Sequence, residues 1–152
     1  MESPGLRHRS RMMGRLKAAA VAFAVVSFAL PVHADNGEIA GKYQVKFEEV
    51  QNSCNGTGMS LHKAEIEIFR GKRKRIDVTV PMVPIMKGVA SKGGKFKAKA
   101  KRGATAIKGV DGKFSVSGRV NDGVIQMVFI AEYFKGKQPL CTQSWNASGV
   151  KK

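Results

Sequence analysis

The chain has 152 residues, of which 27 are Lys or Arg and 11 are Asp or Glu, for a formal charge of +16. A field of that strength favours anionic partners and says nothing about fold. With three histidines and two cysteines in all, the chain is poorly supplied for a metal centre.

The first element is a leader. Arg7, Arg9, Arg11, Arg15 and Lys17 form a basic opening, and Ala18 to Leu30, AAAVAFAVVSFAL, is an uncharged apolar run. Pro31 and VHA, Val32 to Ala34, follow. This is the layout of a secretory signal peptide over residues 1–34, with cleavage expected between Ala34 and Asp35. Translation from Met12 or Met13 in place of Met1 would give a more compact opening. A run of 13 residues rises about 20 Å as a helix, short of a hydrocarbon core of about 30 Å, so no transmembrane anchor is expected after cleavage. The Ala-rich core and short cleavage site are of the bacterial kind, and the expected location is the periplasm or the medium. In that setting nucleic acid is a poor partner. Anionic lipid, envelope glycan and acidic proteins are better ones.

Residues 35–152 are then read as a single domain with 22 basic and 10 acidic residues, a formal +12. It is long enough to bury its own core. Apolar and polar residues alternate through KYQVKFEEV, AEIEIF, RIDVTV and KFSVSGRV, which is the period of half-buried strands. Turn signals separate the runs: RGKRK at 70–74, KRG at 101–103, Asp111-Gly112, NDG at 121–123 and KGKQP at 135–139. Strands are predicted over 39–50, 58–69, 74–80, 95–101, 104–110, 113–120, 123–134 and 140–149. Short turns between successive strands imply antiparallel neighbours. The fold class is therefore all-β: an antiparallel up-and-down barrel of eight strands, with a two-sheet β-sandwich as the alternative.

Cys54 follows the first strand and Cys141 begins the last. These strands are neighbours in a closed barrel, and two cysteines in an oxidising compartment suggest one disulfide. Closing a loop of about 87 residues would stabilise the fold by roughly 4–5 kcal/mol in the chain-entropy model.

VPMVPIMKG, Val80 to Gly88, departs from the alternation. Its prolines exclude a central strand, and its apolar character places it against the barrel. It is either a plug completing the core or a lid over a ligand cavity, with Met82 and Met86 as adaptable contacts. Tyr43, Met127 and Trp145 would share such a cavity. For Trp145, packing against the barrel floor is the competing role.

KGGKFKAKAKRG sets Lys95, Lys97, Lys99 and Lys101 at alternate positions about 6.6 Å apart, a row about 20 Å long. With Arg102 it is the candidate surface for an anionic partner. The competing reading is an ordinary solvated strand face, on which lysines discourage edge pairing. Over 123–134 one face carries Ile125, Met127, Phe129, Ala131 and Tyr133, while Val124, Val128, Ile130 and Phe134 make the other largely apolar too. Its outer cover would be a second copy, giving a homodimer, or the protein's own chain.

Catalysis has little support. His62 is the only histidine after residue 34, and no local acid orients it. No cofactor and no metal are expected. NAS at 146–148 fits a glycosylation sequon. Gly41-Lys42-Tyr43 resembles the G-x-W that opens lipocalins, with Tyr in place of Trp. The resemblance implies an eight-stranded barrel closed at one end by that aromatic residue. The expected function is an exported, non-enzymatic binding protein for an anionic or amphiphilic partner. The alternative is a small envelope protein, inhibitory or structural, acting through a protein interface with no ligand cavity.

Overall fold

The structure is a computed structural model and describes residues 39–152. The predicted leader, its cleavage point and the alternative starts lie outside the described residues.

Nine antiparallel strands form one sheet: β1 (Gly41–Asn52), β2 (Lys63–Arg70), β3 (Arg75–Thr79), β4 (Met86–Ala90), β5 (Lys95–Lys99), β6 (Gly103–Ala104), β7 (Asp111–Asn121), β8 (Val124–Lys135) and β9 (Gln138–Lys151). Each strand pairs with its neighbour in sequence, β1 pairs with β9, and β5 skips the two-residue β6 to pair with β7. The result is a closed ring of eight strands with β6 as a short flap on β7. The ring is uneven. β1, β7, β8 and β9 have 11 to 14 residues, whereas β2 to β5 have 5 to 8. It can be described as a lopsided barrel, or as a sandwich of a long-stranded and a short-stranded face joined at both edges.

The eight-stranded ring agrees with expectation, but two elements differ. Residues 104–110 do not form a strand. β6 ends at Ala104, and Thr105 then caps its own loop, with Oγ1 donating to Val110 O at 2.8 Å and accepting from the Ile107 N–H at 3.2 Å. The strand in its place is β4, inside the proline-rich segment. Pro81 and Pro84 stay in the turn, and Met86 to Ala90 pair on both sides. Gly88 is required there. A Cβ on it would lie 1.8 Å from the Lys97 carbonyl oxygen.

Period-two alternation sends one side of each strand inward. The interior holds Tyr43, Val45 and Phe47 from β1, Ile66 and Ile68 from β2, Ile76 and Val78 from β3, Phe96 and Ala98 from β5, and Ile125 to Tyr133 at alternate positions of β8. Phe129 organises the aromatic part. It meets Trp145 at 5.4 Å, stacks with Phe114 at 6.3 Å and takes Phe47 edge-on at 6.4 Å. Such arrangements contribute beyond buried area alone. At the end of the ring where β1 starts, Tyr43 is buried and its hydroxyl donates to the Ile39 carbonyl at 2.7 Å.

The loops after β1, β3 and β5 and the β8–β9 hairpin all lie at the other end. There Cys54 and Cys141 form the expected disulfide, with Cα atoms 5.1 Å apart. Among the described residues no helix is long and apolar enough to cross a membrane.

The unexpected strand supplies the test of this architecture. Gly88→Ala should lower unfolding free energy by about 2 kcal/mol or more, because the new methyl group meets backbone and not a movable side chain. Urea denaturation measures it. A neutral result would mean that β4 does not pair with β5.

Candidate anion-binding face and loop-end cleft

Lys95, Lys97 and Lys99 point outward from β5, while Phe96 and Ala98 point in. Register decides what lies beside them. Lys99 sits directly opposite Lys87 of β4, and Lys95 directly opposite Arg119 of β7. Val89 faces Lys97 on one side and Arg75 of β3 on the other. Arg75, Lys87, Lys95, Lys97, Lys99 and Arg119 thus share one outer face, about 14 Å across the strands. Among the described residues none of the six has a carboxylate partner within ion-pair distance. Asp77, opposite Lys87, is the single acid in that register row. Like charges directly opposite one another across strands destabilise a sheet.

The acids are spent elsewhere. Glu65 takes Lys152 at 2.5 Å and Lys42 at 3.6 Å, and Glu48 takes Lys46 at 2.7 Å. These lysines hold the carboxyls of Glu65 and Glu48 below the usual range, mainly by hydrogen bonding to the ionised form.

Lys101 is exposed just beyond β5. Arg102 leaves the row: its guanidinium lies 4.3 Å over the Phe134 ring, its Nε donates to Asp111 at 3.1 Å, and it also donates to the Gly136 carbonyl. The chain itself therefore covers the outer apolar face of β8 at Phe134. Val124 and Val128 remain 43% and 40% exposed.

Beside the cationic face lies an outer hollow of about 930 Å³. It runs from Lys95, Lys97 and Arg119 past Ser117 and Gln126 to Asn146, Ser148 and Glu48. Hydroxyl and amide side chains continue where the cations stop.

The candidate cavity residues separate. Tyr43, Met86, Met127 and Trp145 are at most 4% exposed and belong to the core cluster. Met82 is 74% exposed, with a positive φ of 65°. It stands at the rim of a second hollow, about 560 Å³, at the loop end. Thr57 to Ser60, Met82 with Pro84, and Ala104 to Ile107 come from three loops, and Phe114 and Tyr133 complete the lining.

One wall of this cleft is anchored by three consecutive residues of β9. Cys141 holds Cys54 covalently. Thr142 O accepts the Ser53 N–H at 3.1 Å. The Gln143 amide, 2% exposed, clasps Met59 from both sides: Oε1 accepts the Met59 N–H at 2.8 Å, and Nε2 donates to Met59 O at 3.1 Å and to Glu49 at 3.0 Å. Gly58 makes room for the clasp, since a Cβ there would fall 2.3 Å from Gln143 Oε1. Nothing in the sequence pattern marks Gln143, because glutamine at an inward strand position reads as an interruption of the core.

His62 is exposed, with Nε2 3.1 Å from Ser60 Oγ. Among the described residues no group of three or more His, Cys, Asp or Glu side chains is placed to hold a metal ion.

No protein-family model, curated protein or solved structure matches the chain. The resemblance to lipocalins read from Gly41-Lys42-Tyr43 finds no support in these comparisons.

Replacing Gln143 with Leu tests the clasp. It strips partners from the Met59 amide and carbonyl, which should cost about 1–3 kcal/mol. Hydrogen exchange at the Met59 amide should accelerate with the disulfide intact. Unchanged exchange would show that the cross-link alone holds the loop.

Proposed function

We propose that this is an exported, non-enzymatic binding protein that attaches to an anionic partner through the outer face of β3, β4, β5 and β7. One observation carries the reading. Two like-charge pairs, Lys87 with Lys99 and Lys95 with Arg119, sit directly across from each other with no neutralising acid between. That arrangement costs the free protein stability, and an anion laid on the face would relieve it. The partner offers a repeating negative charge, as an anionic lipid surface or an acidic glycan does. The hydroxyl and amide groups of Ser117, Gln126, Asn146 and Ser148 lie beside the cations for its neutral polar groups. The disulfide is compatible with an oxidising compartment, which supports export.

Sedimentation with phosphatidylglycerol vesicles, and retention on a sulfated-glycan column, test it against salt. Wild-type binding should fall steeply as salt rises. Replacing Lys87, Lys95, Lys97 and Lys99 with Gln should weaken binding more than a hundredfold, at about 1 kcal/mol for each charge near an anionic surface. The same variant should be at least as stable as wild type in urea. Unchanged binding to both supports would remove this face from the account.

A further inference from the structure

The cleft at the loop end has a chemistry unlike the rest of the surface. None of its lining residues is charged, in a chain where 25% of residues are. Met59, Met82, Pro84, Ile107 and Phe114 are its large apolar lining residues. Of its polar groups, Ser60 is engaged with His62 and Thr105 with its own loop.

Tyr133 is the deeply buried exception; Thr57, also on the lining, is only partly buried. Its side chain lines the cleft and is 97% buried, since 3% of its surface is exposed. Its hydroxyl has no hydrogen-bond partner and is itself closed off from solvent, so an occupant must part the lining around Met59 to reach it. The backbone of Met59 lies near the phenol oxygen, but its N–H is committed to Gln143 and does nothing for the phenol's own proton. Burial raises the phenol's pKa, so the group stays protonated and remains a donor. Phenylalanine would make the same edge-on contact with Phe114, 6.2 Å between centroids, without burying a lone hydroxyl. Packing alone does not explain a tyrosine here.

We propose that the cleft is a binding site for an uncharged, largely apolar molecule bearing one carbonyl-type oxygen, which accepts a hydrogen bond from the Tyr133 hydroxyl. A carboxylate or phosphate is disfavoured, because the lining holds no cation to replace its water. The two methionines are the adaptable contacts that a pocket for flexible apolar ligands uses. Met82 stands exposed at the rim on a left-handed backbone. This site is separate in place and in chemistry from the cationic face. Either can be wrong without the other.

The test uses the disulfide-bonded protein and 6-propionyl-2-(dimethylamino)naphthalene, a neutral fluorophore whose single ketone reports hydrogen bonding through its emission wavelength. Saturable binding is expected, insensitive to added salt and retained when Lys87, Lys95, Lys97 and Lys99 are replaced with Gln. Tyr133→Phe should weaken binding roughly fivefold and shift the bound emission to the blue, because the ketone loses its donor. Ile107→Asp, at an exposed position on the rim, should abolish binding while leaving the fold intact by circular dichroism. Failure of the wild-type protein to bind saturably overturns the proposal. So does a Tyr133→Phe variant with unchanged affinity and emission, or an Ile107→Asp variant that binds as wild type does.

Discussion

The ring depends on one close approach, where β5 meets β4 on one side and β7 on the other. Closure there leaves only the two-residue β6 as a free edge of the sheet. It works because a glycine stands at one inward-facing position of the partner strand on each side. Gly88 lies opposite Ala98, and Gly118 opposite Phe96. A Cβ on Gly118 would come within 2.4 Å of the Gln126 carbonyl oxygen of β8, so this glycine also serves the β7–β8 pairing. At the start of β5, Gly94 takes a φ of 73° with the Val120 carbonyl 2.0 Å from where its Cβ would be. The strand with the most lysines is therefore also the strand that shuts the ring. Its inward Phe96 and Ala98 serve the core, and its outward lysines are carried into register with Lys87 and Arg119 by the same pairing. Structure and charge are one constraint here: moving β5 by one residue would expose Phe96 and bury cations.

That coupling shows what the sequence conveyed and what it did not. Alternation was enough for β1, β2, β3, β5 and β7, because each has one wet face and one dry face, while β8 and β9 were bounded by their turn signals. The disulfide was legible from topology, since the first and last strands of a closed meander must touch. β4 was not legible. Its five residues follow two prolines and contain Gly88, both of which argue against a strand, and the reason for the glycine is a neighbouring backbone 87–99 pairing that no local pattern encodes. Residues 104–110 failed in the opposite direction: their composition suits a strand, but Thr105 satisfies the backbone within the loop. Without β4, Lys87 had no place, and the row could not be seen to lie beside further cations. Met86 was misjudged for the same reason, as a loop residue when it is an inward strand residue. The cleft was invisible because its three walls are separate in sequence and joined only by folding.

Two surfaces result, and they respond to different solvents. The outer face is charge against water, and salt weakens it within about a Debye length of 10 Å. The cleft lining carries no charged residue, and apolar side chains and hydroxyls make it up. The β9 residues Cys141, Thr142 and Gln143 hold the cleft's first wall, while Arg102, bound to Asp111 and Gly136 and laid over Phe134, fastens the loop that carries Ile107 to the β8–β9 hairpin. The disulfide and packing thus set the geometry of the cleft, and ionic strength would set how firmly the proposed face holds an anion.

The pairing of β1 with β9 has a consequence for handling the molecule. Tyr43 lies opposite Lys151, and the Lys152 N–H reaches the Lys42 carbonyl at 2.9 Å. The start of the first strand and the last residue thus emerge side by side, at the pole away from Met59, Met82 and Ile107. A bead, sensor chip or fluorescent label joined through Lys152 would leave the opposite pole facing the solution. Immobilisation by random lysine coupling would instead consume the side that carries Lys87 to Lys99.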